Sequence, residues 1–119
     1  MSIDIQSFPR PEWRPVPHEG CRDVEVKGLP RLGGVHLAML RFQPGDTIHE
    51  HPADIGIEVL CLAGAGITSV RNKPAALKAG EWVDWPAGLP HRLWTTDYTM
   101  ITWMVEHMSM NSVHDGDDT

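Results

Sequence analysis

Two histidines separated by one residue, His49 and His51, open the stretch HEHPADIGIE, which covers residues 49–58. The preceding QPGD is typical of a turn, so a strand is expected to start here. Residues i and i+2 of a strand point to the same face, and both imidazoles would project together. Neutral imidazole is a common ligand of divalent metals. The spacing therefore suggests half of a metal site, with two surface histidines as the alternative.

The rest of the chain supplies strands to position these residues. Short β-type runs such as DVEVKGL, VHLAMLRF, EWVDW and HRLWTT alternate with glycine and proline punctuation. No apolar stripe with a period of about 3.6 residues extends over the length of a helix. Many short strands separated by turn signals predict an all-β sandwich or barrel.

Two of the runs, IEVLCLA and TMITWMV, are apolar on both faces. Strands of this kind are covered on both sides, by a second sheet or by a partner subunit. A homodimer is therefore expected, and full burial within one subunit is the alternative.

A second pattern, GEWVDWPAGLPHRLWT, adds a third histidine. Gly80, Pro86, Gly88 and His91 match the second motif of the cupin superfamily, G-x5-P-x-G-x2-H, at every position. The H-x-H, a glutamate and a glycine of the first cupin motif are also present, with altered spacing. Over roughly residues 33–105 the sequence resembles a small single-domain cupin of the cupin-2 type.

This resemblance implies an all-β jelly-roll barrel, a double-stranded β-helix of two antiparallel sheets. It also implies a divalent metal ion inside the barrel, which could be Fe, Mn, Ni, Cu or Zn. Carried over residue by residue, His49 and His51 match the histidines of the first motif and His91 matches that of the second. If His91 points inward, Leu93 and Thr95 do as well.

The fourth ligand is where the sequence departs from the family pattern. Glu58 is the nearest match to the family's glutamate, but counting from Gly64 places it one residue out of register. Since a slip of one residue moves a side chain to the other face, Glu58 would reach the metal only through a bulge or a longer loop. Asp54 and a water molecule are the alternatives for this position.

The resemblance favours a metal-dependent enzyme that acts on a small organic substrate, with dioxygenase, isomerase or lyase chemistry. The expected pocket walls are mostly apolar, and they are Met39, Ile57, Val59, Cys61 and Val83. A ligand-binding sensor without catalysis is the alternative, and a barrel that holds no metal is a third possibility. No catalytic residue is assigned, and His18, His36, His107 and His114 are given no role.

Composition limits the class of protein and its partners. The formal net charge of −6 over 119 residues lacks the basic balance of a nucleic-acid binder. No apolar run approaches the roughly 20 residues that span a bilayer, and the N-terminus lacks the pattern of a secretory signal. Two cysteines do not make a disulfide framework, and inert thiols are expected. These features predict one cytoplasmic domain without a membrane partner.

Three segments are expected along the chain. Residues 1–20 contain four prolines and should form an extended arm, which Trp13 attaches to the body. Residues 21–108 form the barrel. Residues 109–119 form a flexible acidic tail.

Overall fold

A computed structural model describes residues 3–7, 12–16, 21–51 and 54–107, without the side chains of residues 30–32 and 49–51. Within these residues the chain forms ten strands and no helix, which confirms the predicted all-β class. In chain order they are β1 (Arg14–Pro15), β2 (Cys21–Arg22), β3 (Glu25–Leu32), β4 (Val35–Phe42), β5 (Thr47–His51), β6 (Ile57–Val70), β7 (Lys73–Lys78), β8 (Trp82–Trp85), β9 (His91–Trp94) and β10 (Met100–His107).

The strands pair antiparallel in the order β1-β3-β4-β10-β6-β9-β5-β2, and β7 and β8 also pair with β6. The long strand β6 belongs to two sheets. Its residues 57–60 pair with β8, whereas residues 65–70 pair with β7. The first sheet therefore holds β1, β3, β4, β10 and β8, and the second holds β2, β5, β9 and β7. This is the two-sheet antiparallel barrel that the sequence predicts.

Gly64 lies where β6 passes from the first sheet to the second. Its φ of +77° is in the left-handed region, which L-residues with a side chain rarely adopt. A Cβ atom at this position would lie 1.8 Å from the carbonyl oxygen of Thr99. The crossing therefore requires glycine for two separate reasons.

The alternation predicted around His91 is confirmed. His91, Leu93 and Thr95 are all buried, while Trp94 is half-buried and stacks under the Arg92 guanidinium. On β8, Trp85 is buried by the same alternation. The core of buried apolar side chains consists of Val24, Leu40, Phe42, Ile48, Ile57, Val59, Cys61, Leu77, Trp85, Leu93, Met100 and Met104.

The expected interior position of Met39 is wrong. Ala38 and Leu40 pack with the core, and Met39 occupies the alternate position of β4, opposite Trp103 on β10. In VHLAMLRF, apolar residues occupy both the odd-numbered and the even-numbered positions. The pattern therefore does not specify which of the two alternate sets faces inward.

The N-terminal segment contacts the first sheet at the point predicted for Trp13. The Arg41 guanidinium lies 4.3 Å and the Lys27 ammonium 5.0 Å from the centroid of a Trp13 ring. These are cation–π contacts, which hold the aromatic ring against charged side chains of β3 and β4. The boundaries at residues 20 and 108 stay predictions, and the tail 109–119 lies outside the described residues.

The two cysteines, Cys21 and Cys61, are not joined by a disulfide. Burial raises the pKa of the Cys61 thiol, and the negative charge of Glu81 acts in the same direction. A buried thiol that resists deprotonation is a poor nucleophile, as expected for an inert cysteine.

In the described part of the chain, no helix has the length and apolar character needed to cross a membrane.

The outer face of the first sheet carries a row of apolar side chains that bears on the homodimer prediction, and two of them belong to the runs IEVLCLA and TMITWMV. Met39, Trp103, Leu60 and Trp82 occupy successive opposite positions on β4, β10, β6 and β8. Trp82 is 59% exposed. A second copy packed on this face would remove the row from water.

Light scattering tests the homodimer. The purified chain of 13.3 kDa is expected to have twice that mass in solution. Trp103→Glu, which places a charge in the row, should reduce the mass to that of one chain. A parent protein with the mass of one chain would contradict the prediction.

Candidate functional site

A cavity of about 210 Å³ lies between the two sheets. Its described lining is apolar except for a few side chains, and contains no lysine or arginine. The residues around it are Val16, Cys21, Val26, His36, Ala38, Leu40, Ile48, Ile57, Trp85, His91, Met104 and Glu106. Such a lining suits a compact apolar molecule and offers no cation for a phosphate.

His91 is the predicted ligand that the structure places at this cavity. It is 1% exposed and its ring stacks on Trp85, with centroids 4.0 Å apart and an interplanar angle of 12°. The indole of Trp85 is itself fixed, because its Nε1–H donates to the Thr68 hydroxyl over 3.0 Å. That hydroxyl donates in turn to the Arg92 carbonyl, also over 3.0 Å. The plane of the His91 ring is therefore set by packing and by a hydrogen-bonded neighbour.

The backbone brings His51 to the position directly opposite His91. Ile48 on β5 pairs with Leu93 on β9, and the next pair in the ladder is His51 with His91. The interval holds one more residue on β5 than on β9, which is a β-bulge. Without the extra residue, Glu50 would stand opposite His91. The bulge thus assigns His51 to that register position, where opposite Cα atoms are about 5 Å apart.

His49 lies within the bulged interval, so the simple i, i+2 relation that the sequence suggested for His49 and His51 is interrupted here. The side chains of both residues lie outside the described set. Among the side chains that the structure describes, no group of three or more His, Cys, Asp or Glu residues is close enough together to hold a metal ion.

Glu58 is not brought to His91. Its neighbours Ile57 and Val59 are buried, and Glu58 occupies the alternate position, opposite Asp84 on β8 and Val105 on β10. Its carboxylate Oε1 lies 2.7 Å from Nε2 of His107. β6 carries an extra residue at Leu62 against β10, but this bulge follows Glu58, and residues 57–61 alternate between buried and half-buried without interruption. This arrangement does not favour Glu58 as the fourth ligand, which stays a prediction from the sequence.

Asp54, the second candidate carboxylate, is exposed in the bend before β6 and does not line the cavity. Of the alternatives for the fourth position, water is therefore the one that the described geometry favours. Three imidazoles with an open position form the kind of set that a catalytic metal uses. The residues present fit a divalent metal, since His91 is held at the cavity wall and His51 is opposite it in register.

One pair of side chains at the cavity, His36 and Glu106, was not predicted from the sequence. They occupy opposite positions on β4 and β10, and Nδ1 of His36 lies 2.7 Å from Oε1 of Glu106. The residues are 70 positions apart in the chain. Only the strand pairing brings them together, so no local pattern could have identified the pair.

Solved structures with a similar fold include the polyketide cyclase RemF from Streptomyces resistomycificus. Its TM-score is 0.78 at 16% identity, over 89% of this chain and 81% of that chain. The DMSP lyase DddQ from Ruegeria pomeroyi has a TM-score of 0.72 at 18% identity, over 84% of this chain and 57% of that chain. A cupin-2 domain from Rhodospirillum rubrum has a TM-score of 0.74 at 15% identity, over 97% and 88%.

No protein-family model matches the sequence, and no curated protein does either. At such low identities, the likeness to the solved structures establishes the fold.

Proposed function

We propose that this chain, which has the cupin barrel fold, is a metal-dependent enzyme that acts on a compact, largely apolar organic molecule. The observation that carries the proposal is the position of His91, buried at the cavity wall and opposite His51 in the strand register. A histidine in this position can contact both a metal ion and a molecule in the cavity.

The ligands in this proposal are His49, His51 and His91, with water at the remaining position. Imidazole suits Fe, Ni, Cu and Zn, whereas Mn more often takes oxygen ligands, and the ligand type does not select among the first four. When bound, such an ion supplies Lewis-acid polarisation of a substrate oxygen or lowers the pKa of a water molecule. Trp85 orients the His91 ring by stacking, and the apolar walls exclude water from the reacting groups.

The size and lining of the cavity define the substrate class. Roughly 150 Å³ of apolar cavity is enough to hold benzene, and this cavity measures about 210 Å³. The described lining offers no lysine or arginine to bind a phosphate group, which argues against nucleotide sugars. Two of the similar structures, a cyclase and a lyase, are enzymes by name, and this supports a catalytic role.

Turnover measurements test the proposal against a sensor that binds without converting its ligand. A panel of small apolar hydroxy compounds and carboxylic acids is incubated with the purified protein, with the protein after chelation, and with the protein reloaded with each ion. We expect conversion of at least one compound, its loss on chelation and its recovery with one ion. Compounds that bind the loaded protein and are recovered unchanged would identify a sensor instead.

A further inference from the structure

His36 and Glu106 place a hydrogen-bonded imidazole and carboxylate at the wall of the cavity. Their side chains are 31% and 32% exposed, so the pair lies where the cavity opens rather than in its closed interior. The pair belongs to the first sheet, through β4 and β10, whereas His91 belongs to the second. A molecule in the cavity therefore lies between two different sets of polar groups.

The hydrogen bond determines which nitrogen of His36 can take up a proton. A carboxylate only accepts hydrogen bonds, so Nδ1 of the neutral ring carries the hydrogen that Glu106 receives. The lone pair of the neutral imidazole is then on Nε2. Within the described part of the chain, Nε2 has no hydrogen-bond partner. This is the arrangement in which a carboxylate sets the tautomer of a histidine base.

Few other titratable groups face this imidazole. Glu106 contacts it from β10, and Arg31 holds the opposite register position on β3, with a side chain outside the described set. Across the cavity are His91 and Cys21, and the remaining described lining is apolar. Within the described lining, His36 and Glu106 are therefore the proton acceptors at this end of the cavity, and the carboxylate is already engaged by Nδ1 of His36.

We propose that His36 is the general base of this cavity and that Glu106 is the residue that positions it. The substrate would combine an apolar body with one O–H or activated C–H group directed at Nε2. In the step, the O–H or C–H bond breaks, its electron pair stays on the substrate, and the proton forms a new bond to Nε2. The imidazolium is then paired with the Glu106 carboxylate. The inference rests on the proposed function only in taking this cavity as the substrate site.

The chain contains a matched control pair. His107 and Glu58 also lie 2.7 Å apart, through Nε2 and Oε1, but this pair is on the outer face of the first sheet and does not line the cavity. His107→Gln thus removes an imidazole of the same chemistry and pairing from a position that a cavity ligand does not reach.

The test uses para-nitrophenol, an apolar ring with one acidic hydroxyl whose absorption reports its ionisation. It is titrated into the purified protein, as isolated and after chelation, at a pH below the pKa of the free probe. We expect bound probe with the phenolate spectrum in the parent and in His107→Gln. His36→Gln should bind the probe about tenfold more weakly and without the phenolate spectrum, because a hydrogen bond to a charged partner is lost.

Glu106→Gln separates positioning from folding, since it keeps the shape of the side chain and removes its charge. This variant should still bind the probe but with a lower ionised fraction, whereas a folding defect would reduce both. Four results would each overturn the inference. For His36→Gln they are loss of its metal and ionisation of the probe equal to that in the parent. For the parent they are failure to bind the probe and loss of probe ionisation on chelation. The metal proposal can fail on its own. In that case the purified protein contains no metal, but His36 still ionises the bound probe.

Discussion

Replacing His91 with alanine is expected to weaken metal binding by more than about a hundredfold, since losing only an outer-shell partner of a ligand costs about 10–100-fold. His91 is the proposed ligand with a described side chain, and it is buried at the cavity wall. Its ring is held by stacking on Trp85, so no neighbouring side chain can take its place without repacking. The dissociation constant is measured by competition with a chelator of known affinity.

Glu58→Gln is the matched variant for this measurement. Its carboxylate lies on the outer face and pairs with His107, so the metal dissociation constant should equal that of the parent. Circular dichroism confirms that both variants are folded at the temperature of the titration. Equal losses in the two variants would mean that Glu58 reaches the metal, and an unchanged constant in His91→Ala would remove His91 from the site.

Gly64→Ala is expected to lower the free energy of unfolding by about 2–6 kcal/mol. A left-handed conformation without glycine and an overpacked contact each contribute about 1–3 kcal/mol. The φ of Gly64 is +77°, and its added Cβ would lie 1.8 Å from the Thr99 carbonyl oxygen. The added Cβ is fixed directly to the backbone and the Thr99 oxygen is a backbone atom, so neither can rotate away from the other. Because β6 changes sheets here, the strain would reach the pairing of β6 with β10.

Gly80 and Gly28 provide the controls. Gly80 has a φ of +89° but an added Cβ would meet no atom within 4 Å, so Gly80→Ala should cost only about 1–2 kcal/mol. Gly28 has neither a left-handed φ nor a close neighbour, and its replacement should have little effect. Urea denaturation gives the three values. A cost for Gly64→Ala no larger than that for Gly80→Ala would contradict the clash.

The parts of the site that the sequence predicted are those governed by simple alternation. On β9, the inward direction of His91 fixes that of Leu93, and both are buried. On β8, the buried Trp85 alternates with exposed neighbours in the same way. A period of two is enough for these short strands because their pairing with β6 runs without a register shift.

The parts that could not be predicted depend on pairing between strands. The bulge in β5 depends on the register against β9, and it moves His51 to the position opposite His91. The His36–Glu106 pair depends on the register of β4 against β10. The orientation of Glu58 depends on where β6 is bulged. The extra residue lies at Leu62, after Glu58, and a second bulge lies in β5; neither position is visible in the sequence around Gly56.

In the proposed function, the barrel holds a metal ion through His49, His51 and His91. Elemental mass spectrometry of the purified, untagged protein tests it most directly, with His91→Ala purified in parallel. We expect about one Fe, Mn, Ni, Cu or Zn ion per parent chain and a large loss of metal in the variant. A parent protein that contains none of these metals, even after reconstitution with each ion, would contradict it.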